Sequence, residues 1–199
     1  FCLNSVIREG ESLHFLAGNT PVGVKIQHDY LPTCLGDALI ELRDNPDVRV
    51  VILVGAGDKA FVSGADISQF EKTRHNAAAS EEYSRRSEAQ RSLLANYPKP
   101  TIACIRGFCL GGGMQVAMLT DIRLASDNSQ FGIPAARLGI AYGYDGLRHL
   151  VSLVGPSWAR LIMYTGMRID SAEALRIGLV DRVVADIERT KPIVIAGFG

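Results

Sequence analysis

Three consecutive glycines, Gly111–Gly113, stand between a predicted strand and a predicted helix. Because glycine has no side chain, the backbone N–H groups of such a turn can point at a ligand at the positive end of the helix. Preorganised N–H groups form the oxyanion hole of enzymes that develop negative charge on a carbonyl oxygen. A tight strand-to-helix turn that needs small residues explains the same spacing equally well.

A second glycine-rich segment, Gly55–Ala60, matches the G-x-G-x-x-G/A pattern of dinucleotide-binding loops. In those loops a helix opens directly after the glycines, whereas Phe61–Asp66 shows no helical pattern, so this interpretation is the weaker one. The sequence has no Walker A, HExxH, G-x-S-x-G or EF-hand motif, and its four histidines lack paired ligand spacing. No metal site is therefore expected.

Composition and charge exclude several classes of protein. Of the 199 residues, 47% are hydrophobic, which is enough for one domain with its own core. Lys and Arg (21) balance Asp and Glu (21) with no basic run, so we expect neither a nucleic-acid nor an acidic-membrane partner. No apolar stretch reaches the roughly 18–20 residues that a membrane-spanning helix needs.

The four cysteines, Cys2, Cys34, Cys104 and Cys109, form no C-x-x-C pair, and the last two have apolar neighbours in the sequence. Free thiols in a reducing compartment explain this pattern better than disulfides or a zinc site. We therefore expect a cytoplasmic protein, or one of the mitochondrial matrix if the source is eukaryotic.

Apolar periodicity predicts the elements that position the glycines. Strands are predicted at His14–Ala17, Val22–Ile26, Val48–Val54, Thr101–Ile105, Ile122–Ala125, Gln130–Ile133 and Leu179–Val184. Helices are predicted at Leu35–Leu42, Glu71–Asn96, Met114–Leu119, Leu147–Val154, Trp158–Tyr164 and Ala172–Ile177. Repeated strand–loop–helix units with apolar strands indicate an α/β fold of layered sheets.

A series of short motifs is distributed over residues 33–186. The motifs are Ala60–Ile67, Lys99–Ala103, Gly107–Gly113, Thr120–Ala125, Phe131–Pro134, Leu138–Gly139, Leu153–Gly155, Ala172–Ala174 and Gly178–Val180. In this order they closely resemble the crotonase (enoyl-CoA hydratase/isomerase) superfamily. The resemblance implies a single crotonase-like domain over residues 1–199, a ββα spiral of layered sheets with surrounding helices, whose ends (1–32 and 187–199) are atypical.

The resemblance also implies a site and a substrate. The backbone N–H groups of Ala65 and Gly112 would hold the oxygen of an acyl-CoA thioester as an enolate develops. The residues implied to line the substrate are Ala65, Asp66, Ile67, Ser68, Gly111 and Gly112. Coenzyme A would be part of the substrate, with no other cofactor, and the family's assemblies imply a homotrimer or a dimer of trimers.

Two positions depart from the hydratases of the family. Their two glutamates correspond to Gln115 and Ala135 in this sequence. Glutamine cannot exchange a proton near neutral pH, and alanine offers no polar group, so the acid–base pair that grips a water molecule is missing. Either the chemistry differs from hydration or other residues replace the pair.

Tyr142 and Asp145 are the candidate replacements. Tyr142 aligns with a tyrosine of the methylmalonyl-CoA decarboxylase branch, in which the oxyanion hole and an orienting donor suffice without a strong base. Asp145 is a candidate base. The alternatives are that Asp145 caps the helix predicted from Leu147 and that Tyr142 only packs.

Three functions follow from these residues. The first is an acyl-CoA lyase of the enoyl-CoA hydratase/isomerase family, with Tyr142, Gln115 or Asp145 positioning substrate or water. The second is a decarboxylase of a methylmalonyl-CoA-like thioester. The third is a catalytically silent CoA-thioester-binding fragment, because Gln115 and Ala135 replace both family glutamates and the family's C-terminal helical region does not follow Val184.

Overall fold

The chain forms two sheets in the computed structural model, which describes residues 22–26, 31–55, 59–63 and 77–185. The strands are β1 (Val22–Ile26), β2 (Val51–Gly55), β3 (Ala60–Val62), β4 (Thr101–Ile105), β5 (Phe108–Leu110), β6 (Ile122–Ser126), β7 (Gln130–Gly132), β8 (Arg168–Asp170) and β9 (Arg182–Val184). The helices are α1 (Leu31–Asp44), α2 (Ala77–Ala95), α3 (Gly112–Met118), α4 (Ala135–Leu138), α5 (Tyr144–Thr165) and α6 (Ser171–Arg176).

The same strand–strand–helix connection between the two sheets repeats along the chain. The larger sheet has the order β1-β2-β4-β6-β9 and is parallel throughout, whereas the smaller has the order β3-β5-β7-β8 with only β8 antiparallel to its neighbour. Each of the pairs β2–β3, β4–β5 and β6–β7 places one strand in each sheet and is followed by a helix. This arrangement is a ββα spiral, so the predicted α/β architecture is confirmed.

The larger sheet forms because its strands are apolar on both faces, as parallel strands covered on both sides must be. Val51 and Leu53 of β2 and Ala103 and Ile105 of β4 are fully buried. Large side chains from the smaller sheet and the helices complete the same core. They include Leu39, Leu42, Phe61, Met114, Phe131, Leu150 and Ile162.

The element boundaries differ from the sequence predictions where turns override periodicity. The strand predicted from Val48 begins at Val51, because the Val48 N–H donates to the Asn45 carbonyl in a turn. The two helices predicted between Leu147 and Tyr164 form one run, α5, interrupted at Gly155, whose φ of 74° is not helical. The strand predicted at His14–Ala17 lies outside the described residues.

Two cysteines, Cys104 and Cys109, agree with the predicted free thiols. Cys104 and Cys109 are free thiols, Cys104 half-buried and Cys109 buried. Burial raises the pKa of Cys104 to about 11, so its thiol stays protonated at neutral pH. Within the described ranges, no helix combines the length and apolarity needed to cross a membrane.

A buried arginine joins β6 to the segment before β9. The Arg123 side chain, 6% exposed, donates from Nε to the Leu179 carbonyl (3.0 Å) and from Nη1 to the Thr120 carbonyl (2.7 Å). Its Nη2 lies 2.9 Å from Asp181 Oδ2, which also accepts the Arg123 backbone N–H. Buried carbonyls need such partners, so Arg123 holds the edge strand β9 in place.

Replacement of Arg123 tests this connection. Arg123→Met keeps the stem but leaves two carbonyls without their donor, and we expect the free energy of unfolding to fall by about 1–3 kcal/mol in urea denaturation. Asp181→Asn is the matched control, because Asp181 is 44% exposed and asparagine retains an acceptor, so the loss there is about 1 kcal/mol or less. Equal losses in the two variants would contradict this role of Arg123.

Candidate active site

The helix α3 begins at an exposed glycine whose backbone N–H has no partner within the helix. Gly112 is the first residue of this helix, so no carbonyl one turn earlier can accept its N–H. The residue is exposed, and a side chain at Gly112 would meet no atom within 4 Å. Gly111 turns the chain into the helix with a φ of 54°, and its own N–H donates to the Gly132 carbonyl of β7 at 2.9 Å.

The position of this N–H is fixed by a close contact between α3 and β3. A Cβ atom at Gly113 would lie 2.3 Å from the carbonyl oxygen of Val62 and 2.6 Å from its Cβ, so only glycine fits. Val62 is the last residue of β3, and the chain continues through Ser63 toward Ala65. Ala65, Asp66, Ile67 and Ser68 lie outside the described residues, so their predicted roles stay predictions.

Gln115 and Tyr142 meet beside the first turn of α5. A Cβ atom at Gly146 would lie 2.9 Å from Gln115 Nε2 and 2.8 Å from Tyr142 Cε1, so both side chains lie against this glycine. Gln115 belongs to the first turn of α3, and both side chains are half-buried. The structure therefore brings together two predicted site residues, and Gly146, which the sequence analysis missed, makes the room for them.

The Tyr142 hydroxyl is buried, and no described group meets it with full hydrogen-bond geometry, although the Gln115 amide is close enough to lower its pKa by a hydrogen-bond interaction. Burial raises the pKa of Tyr142 well above its usual value, because the charged phenolate would lose its hydration. The Gln115 amide and the positive charge of Arg91 act in the opposite direction but do not cancel the effect. Tyr142 is therefore a hydrogen-bond donor at neutral pH and not a base.

The structure corrects the capping interpretation of Asp145 and leaves the interpretation of Ala135 unchanged. The Asp145 side chain is 69% exposed and lies 4.0 Å from Arg148. The α5 N-cap is Gly143, with no side-chain cap, so the interpretation of Asp145 as a cap is wrong; it lies instead in the first helical turn, where negative charge is favourable. Ala135 is buried at the start of α4 and brings no polar side chain to the site.

The element that follows the glycine-rich segment is not the helix that a dinucleotide-binding fingerprint requires. β2 ends at Gly55 and the next element, β3, begins at Ala60, so a strand follows the glycines where the fingerprint needs a helix. Among the residues that the structure describes, no group of His, Cys, Asp or Glu side chains has the arrangement to hold a metal ion.

The contact at Gly113 can be tested by a matched pair of variants. Gly113→Ala forces the Cβ into the Val62 backbone, and we expect the free energy of unfolding to fall by about 1–3 kcal/mol. Gly112→Ala adds the same methyl group in open space and is expected to leave stability unchanged or slightly higher. Chemical denaturation measures both, and equal stability of the two variants would show that the helix does not abut β3 this closely.

Replacement of Tyr142 separates a structural role from a functional one. Tyr142→Phe removes a buried hydroxyl that no described group meets with full hydrogen-bond geometry, so we expect the ligand-free protein to gain about 1 kcal/mol in the free energy of unfolding. A loss of stability in denaturant titrations would mean that the hydroxyl is hydrogen-bonded within the fold. The control is Tyr97→Phe, which removes the 2.7 Å hydrogen bond to the Leu39 carbonyl and is expected to lower stability.

Comparison with known proteins assigns the chain to a family. A profile of the enoyl-CoA hydratase/isomerase family matches residues 28–193. The chain is 37% identical over 181 residues to a crotonyl-CoA hydratase of Syntrophomonas wolfei, covering 91% of this chain and 69% of that protein. It is 37% identical over 187 residues to a short-chain-enoyl-CoA hydratase of Clostridium acetobutylicum, covering 94% of this chain and 71% of that protein.

Solved structures agree as well. An enoyl-CoA hydratase/carnithine racemase from Magnetospirillum magneticum superposes with a TM-score of 0.79 at 32% identity, covering 86% of this chain and 67% of that one. An enoyl-CoA hydratase from Bacillus anthracis gives 0.79 at 30% identity, covering 87% of this chain and 69% of that one. The resemblance drawn from the motifs is thereby confirmed, and the chain belongs to the enoyl-CoA hydratase/isomerase family.

Proposed function

We propose that the chain binds an acyl-CoA thioester and stabilises its enolate with the backbone N–H of Gly112, paired with that of Ala65. The observation that carries this proposal is that Gly112, the first residue of α3, is exposed and has described neighbours only beyond 4 Å of its Cβ position, while the contact between Gly113 and Val62 fixes the start of the helix. Such a rigid donor is most effective where negative charge develops, as on an enolate oxygen. The relatives named as enoyl-CoA hydratases support the thioester as the substrate class.

The Gln115–Tyr142 pair restricts which reactions the site could perform. Gln115 and Tyr142 can orient a substrate or a water molecule, but neither exchanges a proton at neutral pH. Hydration through this pair requires a water molecule held by the two side chains, with Asp145 as the remaining candidate base among the predicted site residues. The general function is thus an acyl-CoA lyase whose enolate is stabilised by backbone donors.

Decarboxylation is the second candidate, and the buried Tyr142 hydroxyl, which no described group meets with full hydrogen-bond geometry, favours it. When the Cα–carboxylate bond of a malonyl-type thioester breaks, its electron pair forms the enolate and carbon dioxide leaves. A proton then adds to Cα from water. This sequence needs an oxyanion donor and a group that orients the carboxylate, but no base that removes a proton from carbon.

A panel of thioesters distinguishes the candidates. We would incubate the chain with crotonyl-CoA, a longer enoyl-CoA, methylmalonyl-CoA and a feruloyl-type CoA and analyse the products by mass spectrometry. Addition of water would support hydration, and loss of carbon dioxide would support decarboxylation. Return of every thioester unchanged, from folded protein that still binds CoA thioesters, would instead support a catalytically silent binder.

Removal of the proposed oxyanion donor tests the function directly. Proline is tolerated at the first position of a helix but has no N–H, so Gly112→Pro is expected to lower kcat by about 100–1000-fold while circular dichroism stays unchanged. Gly112→Ala, which keeps the N–H, is the matched control. Undiminished turnover by Gly112→Pro would overturn the proposal.

The assembly implied by the family resemblance and the compartment inferred from the cysteines are further proposals. A homotrimer or a dimer of trimers is testable by sedimentation equilibrium of the purified chain, and cytoplasmic or matrix location by fractionation of the source cells.

A further inference from the structure

Gly146 stands at a helical position whose backbone does not require glycine. It is the third residue of α5, its φ is not positive, and the residue of this helix with non-helical angles is Gly155. Glycine is less favourable than alanine within a helix, so its presence here costs α5 some stability. What glycine contributes at this position is therefore the space that a side chain would fill.

That space lies on the inward face of α5. Residues four apart share a helix face, and Leu150 and Val154, which follow Gly146 at this spacing, are 0% and 7% exposed. The same helix packs against α3, which carries Gln115. A side chain at position 146 would therefore point into the fold and not into solvent.

The atoms that border this space belong to two of the predicted site residues. A Cβ atom at Gly146 would lie 2.8 Å from Cε1 and 3.3 Å from Cδ1 of Tyr142, and 2.9 Å from Nε2 of Gln115. All three are side-chain atoms, whereas a Cβ atom at Gly113 would strike the backbone of Val62. A methyl group at position 146 would thus displace Gln115 and Tyr142 without requiring the backbone to move.

The two side chains that border Gly146 also influence each other. The Gln115 amide lowers the pKa of Tyr142 by a hydrogen-bond interaction, although burial raises it more. An amide that lowers this pKa donates to the phenolic oxygen, and the O–H then remains available to donate to a ligand. The direction of the hydroxyl therefore depends on where the amide lies, and both side chains rest on Gly146.

We propose that Gly146 is a positioning residue of the acyl site, because the room that it leaves on α5 sets the Gln115 amide against the Tyr142 hydroxyl and so determines how this pair orients an oxygen-bearing group of the acyl chain. The inference rests on the proposed function, in which the pair orients substrate or water. The thioester oxygen is held separately, by the backbone N–H of Gly112. A methyl group at position 146 should therefore change selectivity for the acyl group and not binding of the thioester itself.

Two pairs of thioesters report this selectivity, because the members of each pair differ in one oxygen-bearing group. The hydroxyl of 3-hydroxybutyryl-CoA is absent from butyryl-CoA, and the carboxylate of methylmalonyl-CoA is absent from propionyl-CoA. We would measure Kd by isothermal titration calorimetry for the wild type, Gly146→Ala, Gln115→Ala and the double variant. For a thioester that is turned over, kcat/KM from initial rates takes the place of the affinity.

The matched control is Gly36→Ala, which also adds a methyl group against a glutamine side chain. A Cβ atom at Gly36 of α1 would lie 3.0 Å from Cγ of Gln90 in α2. Neither residue belongs to the proposed site, so Gly36→Ala should keep the selectivity of the wild type. Thermal melting of every variant verifies that it is folded.

We expect the wild type to bind at least one oxygen-bearing thioester more tightly than its apolar counterpart. Gly146→Ala should reduce this preference by about 2–10-fold, the equivalent of one hydrogen bond, and leave the affinity for the apolar member unchanged. Gln115→Ala should have a similar effect, and adding Gly146→Ala to it should change little, because the pair is already broken. The Tm of Gly146→Ala should stay within about 4 °C of the wild type.

Several results would overturn the inference and leave the proposed function standing. Equal weakening of both members of a pair by Gly146→Ala would show that the space serves the binding of coenzyme A. A much lower Tm would show that the fold itself needs the space. An unchanged preference in Gly146→Ala, or additive losses in the double variant, would show that the glycine does not act through Gln115 and Tyr142.

The wild type alone separates failure of the inference from failure of the proposed function. Equal affinities within both pairs would show that Gln115 and Tyr142 orient no oxygen-bearing group, which overturns the inference while the role of the Gly112 N–H stands. Absence of binding of all four thioesters to folded wild-type protein would overturn the proposed function and the inference together.

Discussion

The contact between Gly113 and the Val62 carbonyl is the constraint on which the rest of the site depends. It joins the end of a strand in the smaller sheet to the start of α3 at a distance that excludes any Cβ atom. Because the helix cannot move away from or toward this strand without losing packing, the N–H of Gly112 keeps a fixed direction. A donor held in place before the reaction costs no reorganisation when charge develops on a bound oxygen.

The backbone of the site and its side chains support different conclusions about function. The family profile covers both the spiral and the glycine turn at Gly111–Gly113. The positions Gln115, Ala135 and Tyr142 carry no side chain that is a base at neutral pH. Under the proposed function, the backbone would therefore stabilise the enolate, whereas Gln115 and Tyr142 would only orient the substrate.

Much of the fold could be predicted from the sequence, because its central strands are long and apolar. β4 occupies the residues predicted for it, and Gly155 interrupts α5 where a stop was predicted. The strands β3, β5 and β8 were missed, because β3 and β5 border the glycine-rich segments interpreted as loops and β8 has a single apolar residue, Ile169. The contact of Gln115 and Tyr142 at Gly146 could not be predicted from the sequence, because Gln115 and Tyr142 belong to segments that are far apart in the chain.

The most direct test of the central claim is the carbonyl stretching frequency of a bound thioester. Isotope-edited infrared spectroscopy of an acyl-CoA with a ¹³C label at the thioester carbonyl reports hydrogen bonding to its oxygen without requiring turnover. The account predicts that the frequency falls on binding to the wild type and to Gly112→Ala, and that much of this fall is lost in Gly112→Pro. An equal fall in Gly112→Pro would contradict the assignment of the Gly112 N–H as the donor.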